Sequence, residues 1–387
     1  MESRNLPVRF NLIRYKTGRQ SQSIQQERVL NMKRTKAAFT LVELLVVISV
    51  IALLIGILMP AIGSARGAAR QIVGASLHKQ LALGQNAHGY DNKGEYAGIN
   101  GTNKFYQTII VTPGSGATRN WDLMLGDSSP TTPVSWFDWI SPIIGADRGF
   151  SSNRAERTAQ IFNEIADPAA TSDAVPFGSN VADIDDFDRV SEERGFNQIS
   201  FLSPVSFHLW PTSGGAAPKI PIRGNRIRYK TGFSDPVDVA ATFRPNLDMI
   251  ARPSDKILIA DGTRFLPTGN LLDFDTNHRP GDFGSFLTAT PIFSGATAYR
   301  RPESTGGSSQ ASPDGYKLSI RHANFTSMNI SHFDGSVTKL TISEAYSNPI
   351  PWFPSESKFT GQMATQESID FMAKITQDTG ESTPTIY

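Results

Sequence analysis

The sequence predicts an α+β protein, with a long N-terminal membrane-spanning α-helix packed on a β-rich globular head. Three observations carry this. Residues 39–62 form an apolar run with a single charge, Glu43. Wound at 1.5 Å per residue, that run is about 36 Å long, enough to cross a hydrocarbon core of about 30 Å. Beyond Pro60, the residues Ala65, Ala69, Ile72, Val73, Leu77 and Leu81 recur at three- and four-residue steps, with Arg66, Arg70 and Lys79 between them. That period continues the helix and points this stripe inward. The chain also carries 32 glycines and 24 prolines and is 10% aromatic, a composition that fits a loop-rich, β-containing remainder.

The elements follow in order. Residues 1–31 are polar and basic without an apolar face, as in a disordered segment. Met32 offers a second start, the one we expect, with a leader of residues 32–38. Residues 1–38 hold nine Lys or Arg against Glu2 and Glu27, whereas the rest of the chain holds 28 basic and 34 acidic residues. A basic head before a span predicts a cytoplasmic N-terminus, and an acidic exterior disfavours a nucleic-acid partner. An ordinary secretory signal places its small residues after a short apolar core; here Ala37 and Ala38 precede a long one. The helix is expected to stop near residues 90–94, at Asp-Asn-Lys-Gly.

Residues 105–111 read as a strand, 112–118 as a turn and 125–134 as a loop. The aromatic cluster Trp136-Phe137-Asp138-Trp139 reads as a core anchor, with carbohydrate stacking as the sharper alternative. Residues 153–166 fit a short amphipathic helix with Ala155, Ala159, Ile161, Phe162 and Ile165 inward, ended by Asp167-Pro168. Residues 168–198 read as a polar, acidic connection. Residues 198–210 alternate like a strand, with Pro204 implying an edge or bulge. Residues 211–255 read as irregular. Residues 256–260 form a buried strand closed by an Asp261-Gly262 turn. Residues 316–320 and 327–333 are strands, and Asp334-Gly335 turns the latter into a hairpin with 336–342. A last helix is expected over 366–375.

The stretch AAFTLVELLVVISVIALLIGILMPAI, residues 37–62, resembles the N-terminus of type IV prepilins and type II secretion pseudopilins. Phe39-Thr40-Leu41-Val42-Glu43 matches the family pattern throughout; Ala38 stands where glycine is usual. The resemblance implies a pilin-like fold, cleavage between Ala38 and Phe39, and N-methylation of Phe39. It also implies that Glu43 pairs with the freed α-amine of Phe39 on a neighbouring subunit, and that Pro60 sits where such helices often kink. An ionisable group at bilayer depth is normally paired, which agrees. The division expected is a leader over 1–38, cytoplasmic and removed, a transmembrane and assembly helix over 39–94, and a periplasmic or extracellular head over 95–387. Implied partners are sister pilin or pseudopilin subunits, a prepilin peptidase and an inner-membrane assembly platform. The implied location is the bacterial inner membrane, crossed once. A minor pseudopilin of a type II secretion-like system is the first reading. A type IV pilus subunit, or a membrane-anchored binding module for glycan or another surface ligand, is the alternative.

Arg321-His322 followed after eleven residues by Asp334-Gly335 resembles a hairpin in large pilin-like proteins of Planctomycetes and related bacteria, at a longer interval than is usual there. The resemblance supplies no function for it. His322, His332 and Asp334 have the chemistry of a metal or acid–base cluster, against a plain hairpin turn. Asp183, Asp185, Asp186 and Asp188 crowd together, and Asp273-x-Asp275-x-Asn277 has the opening spacing of a calcium loop without its glycine and distal glutamate. Asp183, Asp185, Asp273, Asp275 and Asn277 are therefore the candidate calcium ligands, against a solvated acidic loop; no other cofactor is expected. The absence of cysteine excludes disulfides, thiolate zinc sites and cysteine nucleophiles. No Gly-x-Ser-x-Gly, Walker or His-Glu-x-x-His motif is present, so the expectation is a structural subunit, not an enzyme.

Overall fold

The computed structural model describes residues 40–98, 129–135, 137–178, 183–208, 210–211, 228–229, 236–266, 271–277, 284–288, 290–292, 298–299, 318–362, 364–381 and 383–387. Ala38 and Phe39, the strand expected at 105–111, the turn at 112–118 and Trp136 lie outside them. The chain divides into two compact units, Met1–Leu58 and Met59–Tyr387. The architecture is α+β, with one helix long and apolar enough to cross a membrane.

That helix, α1, spans Leu41–Asp91 and runs through Pro60. Its 51 residues would measure about 77 Å, and it stops where the Asp-Asn-Lys-Gly signal predicts. In the first unit, every described residue is exposed. The apolar surface there has no protein against it, as a lipid- or helix-facing segment requires.

In the second unit α1 buries only the far end of the stripe its apolar period predicts, where Leu81 is buried and Leu77 packs against the core. Ile72 is 70% and Val73 49% exposed, and Ala65 and Ala69 are exposed too. The inward residues are Gly74, His78, Leu81, Ala82, Gln85 and Gly89. They keep the three- to four-residue step, but apart from Leu81 they are small or polar. The head sets this choice, because it offers carboxylates and carbonyls to that face. Gln85 shows it: its Nε2 donates to Ala97 O at 3.2 Å and its Oε1 accepts from Ala97 N at 2.7 Å, as a strand neighbour would.

Helix α2 (Ile140–Arg148) follows the aromatic cluster and α3 (Arg154–Glu164) is capped by Asn153, whose side chain accepts from Glu156 N. All five residues predicted inward here are buried. The expected polar connection after it contains β1 (Asp173–Phe177), α4 (Ile184–Glu193) and β2 (Phe196–Asn197). Their apolar content was too sparse to show a period: α4 buries only Phe187 and Val190. The strand expected over 198–210 breaks after β3 (Phe201–Pro204), because the chain turns at the proline into the short helix α5 (Val205–His208). Pro204 thus ends a strand rather than bulging it.

The principal sheet has five strands. Strand β4 (Ile257–Asp261) lies at its centre, fully buried. Strands β5 (Phe265–Leu266), β6 (Leu271–Asp275), β7 (Leu287–Thr288) and β8 (Leu318–Ser319) follow. The predicted hairpin forms as β9 (Ser327–His332) and β10 (Val337–Thr341), with Met328 opposite Leu340 and Ile330 opposite Thr338. The order is β7-β3-β4-β9-β10, and a second sheet runs β2-β1-β6-β5. Helix α6 (Ile342–Ser347) begins with a Thr341/Glu344 capping box, and α7 (Gln366–Thr379) closes the fold at Gly380. Between the sheets and helices, Phe162, Phe187, Phe196, Phe274 and Phe286 form an aromatic core.

Asp261-Gly262 is not a tight turn. Asp261 is the last residue of β4, opposite Phe201, and Gly262 bridges Leu318. A Cβ at Gly262 would lie 2.4 Å from Leu202 Cγ, so glycine is there to let β3 pack, not to reverse the chain.

Candidate functional site

Two places on α1 bear on function. The first is its start. Thr40 Oγ1 accepts from Glu43 N at 3.2 Å, and Glu43 Oε2 accepts from Thr40 N and Thr40 Oγ1, each at 2.9 Å. This is a reciprocal capping box. In the sequence Thr40 stands within the family pattern, and its Thr-x-x-Glu spacing is also the signal for the cap. Both cap bonds fall on Oε2, so Glu43 is held at the helix mouth by one oxygen. The positive end of the helix dipole favours the carboxylate there.

The second is a polar seam where α1 meets the head, within the second unit. It has two ends. At one, Lys79 Nζ donates to Gly335 O at 2.6 Å and Asn86 Nδ2 donates to Phe333 O at 3.0 Å. The Asp334-Gly335 turn is therefore the docking point for the C-terminal third of the helix. Gly335 has φ of 79°, a left-handed conformation that glycine adopts without strain, and Asp334 Oδ1 accepts from Ser336 N at 2.8 Å to close the turn.

At the other end lies a buried cluster. Asp261 Oδ1 is 3.0 Å from His78 Nε2 on α1. Asp261 Oδ2 accepts from Asn329 N at 2.7 Å and lies 3.1 Å from His322 Nε2. His322 Nε2 is also 3.3 Å from Asp167 Oδ2 and 3.2 Å from Asn329 Nδ2. Asn329 in turn donates from Nδ2 to Gln71 O at 3.1 Å. Asp167 is fixed from behind, since its N donates to Ser200 Oγ and its Oδ1 accepts from Ala169 N at 2.7 Å. Gly74 brings the helix close: a Cβ there would lie 2.1 Å from Asp167 Oδ2.

The electrostatics are strong because the groups are out of water. Burial pushes the Asp261 carboxyl up. The charge of Arg321 and the hydrogen bonds from His322 and His78 outweigh it and hold Asp261 well below the usual carboxylate range. Burial pushes His322 down, but the carboxylates of Asp167 and Asp261 reverse this and raise it to about 9. The cluster can store charge and bind the helix tightly.

The predicted site residues separate. His322 bridges Ser327 at one end of β9, whereas His332 stands at the other end, about 17 Å along a six-residue strand. His332 Nε2 pairs with Thr338 Oγ1 at 2.9 Å. His322, His332 and Asp334 thus do not form one acid–base site, because β9 holds them apart. The real partners of His322, Asp167 and Asp261, come from distant segments and carry no local motif.

The calcium candidates have guanidinium partners. Asp183 accepts from Arg154 Nη1 with both oxygens, at 2.8 and 2.9 Å. Asp273 and Asp275 both face the buried Arg264, at 3.1 and 3.4 Å. Asn277 donates from N and Nδ2 to Asp275 Oδ1, and Asp185 lies in the first turn of α4. Of the aromatic cluster, Phe137 and Trp139 are buried, with Trp139 Nε1 donating to Phe286 O at 3.0 Å. They anchor the core and offer no face to a sugar.

Residues 33–59 match the family model of the prokaryotic N-terminal methylation motif. This is consistent with the type IV prepilin and pseudopilin family, and it supports a pilin-like subunit that is processed by a prepilin peptidase, anchored in a membrane and assembled with other such subunits. No curated protein and no solved structure matches the chain.

Proposed function

We propose that this chain is a structural, pilin-like subunit, a minor pseudopilin of a type II secretion-like system. It is cut between Ala38 and Phe39, methylated on Phe39 and built into a filament through α1. The observation that carries this reading is the methylation motif over residues 33–59, with a capped helix beginning at its centre. Removal of residues 1–38 leaves the Phe39 amine beside the cap. Glu43 then supplies the negative charge that a neighbour's amine requires, and low dielectric strengthens the pair.

The outward residues Ile72, Val73 and Leu83, exposed on α1, extend an apolar surface for sister helices past the lipid-facing part. The head lies on the periplasmic or outer side, in accord with the basic leader. It acts as the filament's displayed part and carries out no catalysis. The assembly platform of the inner membrane is the remaining partner.

Two substitutions separate assembly from plain anchoring. Glu43→Gln keeps an amide able to complete the capping box but removes the charge. Thr40→Ala weakens the cap and keeps the charge. The reading expects Glu43→Gln to insert in the membrane yet fail to enter filaments, and Thr40→Ala to enter them. Filament incorporation of Glu43→Gln at the wild-type level would refute the charge-pairing role.

A further inference from the structure

We propose that Asp167, Asp261 and His322 form a binding site for one first-row divalent metal ion, with zinc the best fit, in the core of the head beneath α1. The three residues offer one ligand atom each, all within 4.8 Å of one another, and all three are buried. His322 Nε2 lies 3.1 Å from Asp261 Oδ2 and 3.3 Å from Asp167 Oδ2. A tetrahedral zinc ion with nitrogen and oxygen ligands at 2.0–2.2 Å spaces its donors about 3.3–3.5 Å apart. The two His322–carboxylate pairs need only a small adjustment to enclose such an ion, and the two carboxylates, within 4.8 Å of one another, need only close on it.

Hydrogen bonding alone leaves this cluster incomplete. Three groups converge on the single nitrogen His322 Nε2: two carboxylate oxygens and the amide donor Asn329 Nδ2. One N–H can point at only one carboxylate, and with that hydrogen present Nε2 cannot accept from Asn329. Asp167 Oδ2 is buried and makes no well-formed hydrogen bond, although His322 Nε2 lies 3.3 Å away, a costly state for a carboxylate oxygen in the core. A divalent ion resolves it. Nε2 gives its lone pair to the metal, both carboxylates face a positive charge, and the orphan oxygen becomes a ligand.

The surroundings fit a metal centre. Asp261 Oδ1 is held by His78 and Asp261 Oδ2 by the Asn329 amide. Asp167 Oδ1 is held by Ala169 N. Such outer hydrogen bonds orient ligating carboxylates. Nitrogen and carboxylate donors without sulfur suit zinc and its neighbours in the first row. Three protein ligands leave a fourth position for water or a second carboxylate oxygen. The site lies far from the methylation motif in sequence and does not depend on assembly.

The test uses the full chain in detergent. Protein is produced in zinc-replete and zinc-depleted medium, because a buried site loads as the chain folds. Metal content is read by mass spectrometry alongside thermal unfolding. The expected result is about one equivalent of zinc per chain in the wild type and in His332→Ala, which lies outside the cluster. His322→Ala and Asp167→Asn should lose the metal, and the depleted wild type should melt earlier. Because the ligand variants also disturb the core, cobalt-loaded wild type supplies an independent reading. Visible absorption of four-coordinate Co²⁺ with nitrogen and oxygen donors is expected. A folded wild type that holds no metal from replete medium, shows no cobalt spectrum and melts alike under both conditions overturns the proposal.

Discussion

Replacing Gly74 by alanine should destabilise the head, although the same change at Gly67 in α1 should not. In a helix interior alanine is favoured over glycine by about 1 kcal/mol. At Gly67 a Cβ meets nothing within 4 Å, so Gly67→Ala should be neutral or mildly stabilising. At Gly74 the Cβ would lie 2.1 Å from Asp167 Oδ2, 3.1 Å from its Cγ and 3.2 Å from Asn329 Nδ2. Ordinary contact requires Asp167 Oδ2 to move by more than 1 Å. The carboxylate cannot swing away freely, since Oδ1 accepts from Ala169 N at 2.7 Å and the backbone N donates to Ser200 Oγ at 3.0 Å. Overpacking of this kind costs about 1–3 kcal/mol, and the displaced Oδ2 also leaves His322. The propensity gain offsets part of this, for a net loss of about 1–2 kcal/mol. Thermal unfolding of the full chain in detergent, with Gly67→Ala beside it, measures the difference. Equal melting temperatures for the two variants would refute the close approach of α1 to Asp167.

Three further outcomes follow from the geometry. Burial lowers the Lys256 ammonium to about 7, with Asp255 pulling it up and Arg252 pushing it down. Between about pH 7 and its unfolded value near 10.4, the unfolded chain binds more protons than the folded one. Lys256 therefore makes stability rise with pH across that window and level off below it, whereas His322, raised to about 9, makes stability fall with pH between about 6.5 and 9 and opposes it there. Lys256→Met should remove the rising contribution and leave the fall from His322, read by urea unfolding at several pH values; His332 is pushed down by burial and adds nothing within the window. Gly335→Ala forces a left-handed residue onto the docking turn and should cost about 1–2 kcal/mol, read by urea unfolding. Calcium added to the full chain should give no calorimetric heat and no melting shift at Asp183, Asp185, Asp273, Asp275 or Asn277, because Asp183 is already paired with Arg154 and Asp273 and Asp275 with the shared Arg264.

Much of the fold was legible where a single segment carries its own signal. The span, the stop of α1, the inward face of α3 and the Asp334-Gly335 hairpin all follow from residues a few positions apart. The face of α1 was legible only in part: Leu77 and Leu81 face the core as predicted, but Ile72 and Val73 lie outward while His78 and Gln85 lie inward. A hydrophobic period finds the inner stripe only when the partner surface is apolar, and here it presents Asp261, Asn329 and Ala97. The cluster at His322 was hidden for a related reason. Asp167 ends a helix, Asp261 ends a strand and His322 precedes another strand. Each has an ordinary local reading as a stop or a turn, and only the sheet order makes them neighbours. The hairpin motif itself was visible, but its role as the seat of α1 required the Lys79 and Asn86 contacts.

The polar seam also has a mechanical consequence. Its bonds from α1 are strung along the helix at Gln71, His78, Lys79, Gln85 and Asn86, and all of them lie within the second unit. A pull along the helix axis loads such a row in shear, so its bonds share the force. A pull across the axis would peel them one at a time. Extraction of a subunit by its N-terminal end applies the first kind of load, and the head would travel with its helix rather than tear from it.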